Sequence, residues 1–195
     1  MPHVLIAGTI HQAGLSILKN TPGFTYELVK EVSTASYAPF IEHADALLLR
    51  TQPLTAAEIE QAPLLKVVSR HGVGYDAVDV AALNERGIPL TIVGDVNSLS
   101  VAEHTFALLM GVAKQLRVYD ENLRSGNWNC RNSFSAMELS GRTLFVLGFG
   151  RIGREVARMA RCFNMFVVAY DPYVADEIFH ALGVERITEL DAGIK

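Results

Sequence analysis

The chain has 195 residues, half of them hydrophobic, and a formal net charge of −4. That size suits one or two compact folding units, and the mild acidity argues against a nucleic-acid partner, which calls for a basic face. No apolar stretch reaches the length of a membrane span, and the start Met1-Pro2-His3-Val4-Leu5-Ile6-Ala7-Gly8 lacks the basic region and long apolar run of a secretory signal.

His3–Ala7 predicts a first strand closed by Gly8, and residues 11–20 a short helix with Leu15, Ile17 and Leu18 apolar. Phe24–Val29 reads as a second strand. A helix over 37–43 leads to the fully apolar strand Ala46–Leu49, and another near 56–61 leads to Lys66–Ser69. Asp79–Arg86 reads as a helix stopped by Gly87 and followed by the strand Pro89–Val93. Strands alternating with short helices point to a parallel sheet covered on both faces, over residues 1–98.

Residues 99–195 form the second expected unit, opening on a helix. Ser100-Val101-Ala102-Glu103 fits a capping box. Val101, Ala102, Phe106, Leu109, Met110, Ala113, Leu116 and Leu123 then keep a helical period from about residue 100 to 124. Such a helix could bridge the units, make a subunit contact or simply sit in a core. A polar stretch from Arg124 leads to Leu139-Ser140-Gly141 and the apolar run Thr143–Leu147.

That run is followed by Gly148-Phe149-Gly150-Arg151-Ile152-Gly153 and then by a helical pattern carrying Ile152, Val156 and Met159. Strand, glycine-rich turn and helix are the setting of a dinucleotide site. The first glycine permits the tight turn, the second lets backbone approach a pyrophosphate, and the third lets helix and strand pack closely. The helix start adds free N–H groups and a favourable dipole for an anion. A plain βα turn is the competing reading. A second apolar run, Phe166–Tyr170, ends in Asp171, about twenty residues past the glycines, where a carboxylate can accept from ribose hydroxyls and repel a 2′-phosphate. Asp171 also reads as a helix N-cap, because Pro172 follows. The cysteines Cys130 and Cys162 show no metal or redox spacing and suit a reducing cytoplasm. The six histidines show no ligand pairing, so no metal is expected.

Taken in order, several stretches resemble the D-isomer-specific 2-hydroxyacid dehydrogenases, and within them the phosphoglycerate dehydrogenase-like members. They are Arg70-His71-Gly72-Val73-Gly74-Tyr75-Asp76-Ala77-Val78-Asp79, Asn97-Ser98-Leu99-Ser100-Val101-Ala102-Glu103-His104, Gly126-Asn127-Trp128, Glu138-Leu139-Ser140-Gly141, the loop Gly148–Gly153, and Tyr170-Asp171-Pro172-Tyr173. The resemblance implies an α/β chain, a flavodoxin-like substrate domain followed by a truncated Rossmann dinucleotide-binding domain. It implies NAD as cofactor, a small 2-hydroxy or 2-oxo acid as partner, reversible hydride transfer, and a homodimer in the complete protein.

On this resemblance Gly148, Gly150, Arg151, Ile152, Gly153 and Asp171 are cofactor-binding candidates. Gly72 and Gly74 would let the N–H groups near Val73 and Gly74 turn toward a substrate carboxylate as an anion-binding nest. Arg50, just past a strand's carboxyl end, would help hold an anionic substrate, a phosphorylated one included; a solvated arginine is the alternative. Asn97 matches a cleft-lining position, or else starts a helix. Asp76 and Asp79 read as turn and cap residues, and capping and packing suffice for Glu103 and His104.

The family's chemistry relies on an arginine, a histidine acid/base and a carboxylate that tunes it, and all three are expected downstream of Lys195. His71, His104 and His180 match none of these, so no catalytic residue is nominated. The cofactor unit shows two strands, the first lacking a neighbour, and the 195-residue chain is expected to be inactive by itself. A non-catalytic dinucleotide-binding or scaffolding protein is the competing function. A methyltransferase-like Rossmann enzyme is a third reading, which the substrate-loop motifs disfavour.

Overall fold

In the first unit, Met1–Gly94, the apolar runs His3–Ala7 and Ala46–Leu49 become strands covered on both sides. The structure, a computed structural model, describes residues 1–194. The elements are β1 (His3–Ala7), α1 (Gln12–Asn20), β2 (Thr25–Val29), α2 (Thr34–Tyr37), β3 (Ala46–Leu49), α3 (Ala56–Glu60), β4 (Val67–Arg70), α4 (Val80–Glu85) and β5 (Leu90–Ile92). Side chains alternate across a strand, and the packing follows that period. Leu5, Ala7, Leu47 and Leu49 enter a core with Tyr37, Ile41, Ile59 and Leu83, while Val4, Ile6, Ala46 and Leu48 pack with Leu15 and Leu18 of α1. A strand covered on both faces has no polar side to show, which is why β1 and β3 read as continuous hydrophobic runs.

All five strands are parallel, in the order β2-β1-β3-β4-β5. This is the flavodoxin-like order, with its reversal of direction between β1 and β3. Asp79 caps α4 as expected, its carboxylate accepting from Ala82 N–H at 3.0 Å. The helix expected over 37–43 is instead the single turn of α2 and a 3₁₀ segment, Ala38–His43, where Pro39 removes a donor from the ladder.

The second unit, from Asp95 onward, comprises α5 (Ser98–Ala113), α6 (Leu116–Arg124), β6 (Thr143–Leu147), α7 (Arg151–Cys162), β7 (Phe166–Tyr170), α8 (Asp176–Leu182), β8 (Glu185–Arg186) and α9 (Leu190–Ile194). The chain thus divides a few residues before the boundary placed at 98 from sequence. The long helix expected from 100 to 124 is two helices. Gln115 breaks it in the left-handed region, φ 52°, and Met137 folds back so that its N–H donates to the Ala113 carbonyl at 2.8 Å. Lys114 Nζ donates to the Met137 carbonyl at 2.8 Å. An otherwise orphaned helix-end carbonyl is thereby satisfied. The capping box is corrected as well: α5 starts at Ser98 with Asn97 in the cap position, so Ser100 lies inside the helix.

The core of this unit joins Ala102, Phe106 and Ala113 of α5 to Val156, Ala157 and Ala160 of α7, over Val146, Val167 and Ala169 of the sheet. The sheet has three parallel strands rather than two, in the order β6-β7-β8, so among the described residues β6 is an edge. No helix among the described residues is long and apolar enough to cross a membrane.

Candidate functional site

The three glycines after β6 do three different things. Gly148 turns the chain at φ +92°, a conformation that favours glycine, and its N–H donates to the Tyr170 carbonyl at 2.8 Å. Gly153 lets α7 lie against the turn: a Cβ there would sit 2.1 Å from the Gly148 carbonyl oxygen. Gly150 is different. Its φ of −72° is ordinary, and a Cβ would meet nothing within 4 Å. Neither strain nor internal packing requires a glycine at that position.

Gly150 occupies the N-cap position of the twelve-residue α7, and no side chain caps that end. The first N–H groups of the helix therefore find no partner among the described residues, with the positive end of its dipole behind them. Arg151 and Ile152 follow, both exposed. Between the glycines, Phe149 is fully buried and stacks on Phe179 with ring centroids 4.5 Å apart, which anchors the turn to α8.

Asp171 reaches the same turn. Its Oδ2 accepts from Phe149 N–H at 2.8 Å and its Oδ1 from Tyr173 N–H at 2.9 Å. The helix N-cap reading of Asp171 is overturned, because α8 begins only at Asp176 with Ala175 in the cap position. Each carboxylate oxygen keeps a further lone pair for other donors. The site therefore presents uncapped helix amides as donors, an open approach at Gly150 and a fixed carboxylate as acceptor, a combination that fits a pyrophosphate and a ribose diol.

In the first unit, Arg50 leaves the end of β3 and Arg70 ends β4, where Leu49 pairs in register with Arg70. Both lie at the carboxyl edge of the sheet, Arg50 beside its switch point and Arg70 one strand further out, and among the described residues neither makes an ion pair. The expected nest lacks its left-handed step, since neither Gly72 nor Gly74 has positive φ. Gly72 instead makes room for Arg70, whose Nη1 would lie 3.0 Å from an added Cβ. The N–H groups of Gly72, Val73 and Gly74 still find no acceptor among the described residues.

Arg50, Val73 and Gly74 thus share the carboxyl edge of the first sheet, and Arg151, Ile152, Asp171 and the three glycines share the second site. Asn97 is exposed before α5, in the second unit. Sequence reasoning assigned Arg70 no role. The rule that singled out Arg50, a cation at the carboxyl end of a predicted strand, would have found it. Among the described residues no histidine side chain is hydrogen-bonded to a carboxylate: His3 Nδ1 meets Thr25 Oγ1 and His11 Nδ1 accepts from Ala13 N–H.

Residues 4–192 match the family model described as D-isomer specific 2-hydroxyacid dehydrogenase, catalytic domain. The chain is similar to the D-3-phosphoglycerate dehydrogenase of Methanocaldococcus jannaschii, 34 % identical over 98 % of this chain and 36 % of that one. It is also similar to the enzyme of that name from Mycobacterium tuberculosis, 43 % identical over 76 % of this chain and 28 % of the other. The chain therefore spans about a third of the length of the curated relatives it matches. Among solved structures, the fold is shared with an NAD-dependent formate dehydrogenase from Staphylococcus aureus in complex with NAD, at 24 % identity. That match has a TM-score of 0.83 and covers 100 % of this chain and 62 % of that one.

Proposed function

The chain belongs to the D-isomer-specific 2-hydroxyacid dehydrogenases, and from that premise we propose that it carries the NAD-anchoring turn and the substrate-anion site of such an enzyme. The observation that carries the first part is Gly150, where an added Cβ would meet nothing within 4 Å among the described residues. The uncapped start of α7 and Arg151 would take the pyrophosphate, Ile152 would line the approach, and Asp171 would take the ribose hydroxyls. A nicotinamide dinucleotide held there supplies the hydride acceptor. The carboxylate of Asp171 supports NAD over NADP, since it would repel a 2′-phosphate.

In the first unit, Arg50, Arg70 and the free N–H groups of Val73 and Gly74 would form the anion site. Two cations suit a substrate with more than one negative charge, such as the phosphorylated 2-hydroxy acid in the names of the relatives. Exposed Leu99, Val101, Leu108 and Val112 on α5 support pairing of the complete enzyme with a second copy. Two free cysteines fit a reducing cytoplasm.

We further propose that this chain alone does not turn over substrate, because among the described residues no histidine side chain is hydrogen-bonded to a carboxylate that could tune it as the acid/base. A dinucleotide-binding protein without catalysis is the second reading, and the same lack of a histidine–carboxylate pair favours it.

A titration of NADH fluorescence tests the cofactor site. Wild-type chain should bind NADH, and Gly150→Val should lose binding while keeping its circular dichroism spectrum and melting temperature. Equal affinity of the two proteins, or no binding by the wild type, would remove the assignment. NADH formed by the wild-type chain from a D-2-hydroxy acid would refute the inactivity.

A further inference from the structure

Gln52 and Ser98 are the buried polar residues among those described, and Gln52 is 1 % exposed. An amide taken out of water destabilises a fold unless both its ends are partnered. Here both are. Oε1 accepts from Thr51 N–H at 3.0 Å and Nε2 donates to the Glu31 carbonyl at 3.0 Å. Thr51 lies in the loop leaving β3 and Glu31 in the loop leaving β2, and those strands flank β1 on opposite sides. The amide therefore spans the end of β1 at the point where strand order reverses. Gly8, at φ +102°, makes the span possible: a Cβ there would lie 3.1 Å from both amide heteroatoms and 2.8 Å from Arg50 Cβ.

An apolar side chain of similar size would fill this space equally well. It could not join the two loops. The amide fixes the direction of Thr51 N–H and so the turn 50–52, on which Arg50 stands. We infer that Gln52 is a positioning residue for the substrate-anion site, acting through Arg50 and never touching the ligand. The inference rests on reading Arg50 as an anion anchor, and it adds the device that holds that anchor in place. Side chains held by a satisfied hydrogen-bond network keep a site's geometry better than exposed ones.

A double-mutant cycle tests it, with 3-phosphoglycerate as the probe, calorimetry for affinity, and circular dichroism to set a temperature at which every variant is folded. Gln52→Met matches the side chain in length and leaves both backbone groups unpartnered, and Gln52→Asn keeps an amide too short to span them. Each should weaken binding about tenfold in the wild-type background and leave it unchanged in the Arg50→Ala background, because interacting sites are non-additive. Equal affinity of Gln52→Met, Gln52→Asn and wild type would overturn the inference. So would the same loss in both backgrounds, since the amide would then act without Arg50. If wild type binds no 3-phosphoglycerate, or Arg50→Ala binds as well as wild type, the anion-site reading itself fails first and takes this one with it.

Discussion

On the proposed reading, the two units would offer an anion different kinds of grip. In the first, charge comes from long side chains at a complete switch point, Arg50 and Arg70 beside Gly8 and the 72–74 loop. In the second it comes from backbone, the uncapped amides of α7 behind a glycine turn. A side-chain grip is specified by residue identity and tolerates local movement. A backbone grip is specified by the absence of side chains and tolerates almost no change of shape. The two should therefore fail under different substitutions.

The largest effect falls on the backbone grip. Gly153→Ala would put a methyl group 2.1 Å from the Gly148 carbonyl oxygen, and neither turn nor helix can yield without losing the strand–helix junction. Overpacking costs about 1–3 kcal/mol, and contact with backbone places this change near 3 kcal/mol, roughly 12–24 °C for a unit of about a hundred residues. Scanning calorimetry should show the second unit melting earlier and the first unchanged. An unaltered second transition would mean that the junction is looser than this geometry allows.

How much of this could be read from the residues depended on whether the signal was local. The first sheet was legible because two-sided burial leaves continuous apolar runs at β1 and β3, and because Asp79 sits where a cap must sit. The glycine turn was legible because its three positions are spaced by the turn itself. Gln115 gave no warning, since the apolar period continues past it through Leu116 and Leu123. Those two are exposed in the structure, so the period persists after its burial has ended. Two-residue β8 is too short to show alternation. One partner each of Gln52 and Asp171, Glu31 and Phe149, lies about twenty residues away in sequence, and no local pattern encodes such a bond.

Next in size is loss of the side-chain grip. Arg50→Ala and Arg70→Ala should each remove charge-assisted hydrogen bonds worth about 1.5–3 kcal/mol and so weaken binding of the phosphorylated acid about ten- to a hundredfold. Raising salt should weaken this binding in the wild type, through screening of exposed charges, and affect NADH binding less. Equal salt dependence at the two sites would erase the contrast between them.

Asp171→Ala should act more mildly on the second site. It leaves Phe149 N–H without its acceptor, at about 1–3 kcal/mol, and removes the negative charge that opposes a 2′-phosphate. NADH affinity should fall roughly tenfold while the ratio of NADPH to NADH affinity rises. An unchanged ratio would show that discrimination lies with another residue.

The smallest effect is in acid, and it distinguishes the units by one carboxylate each. In the first, hydrogen bonds from Lys66 and from the His3 N–H hold the Asp45 carboxyl below the usual range. In the second, the hydrogen bond and charge of Arg186 do the same for Asp176. A carboxyl that is more acidic when folded adds stability above its unfolded pKa of about 3.9 and gives that stability up as pH falls through the folded value. Both units should therefore weaken below about pH 4. Asp45→Asn should flatten that dependence in the first unit only, and Asp176→Asn in the second only. Chemical denaturation followed at pH 3 and pH 6 reads each unit separately, and a variant that flattened both transitions would show that the units do not unfold independently.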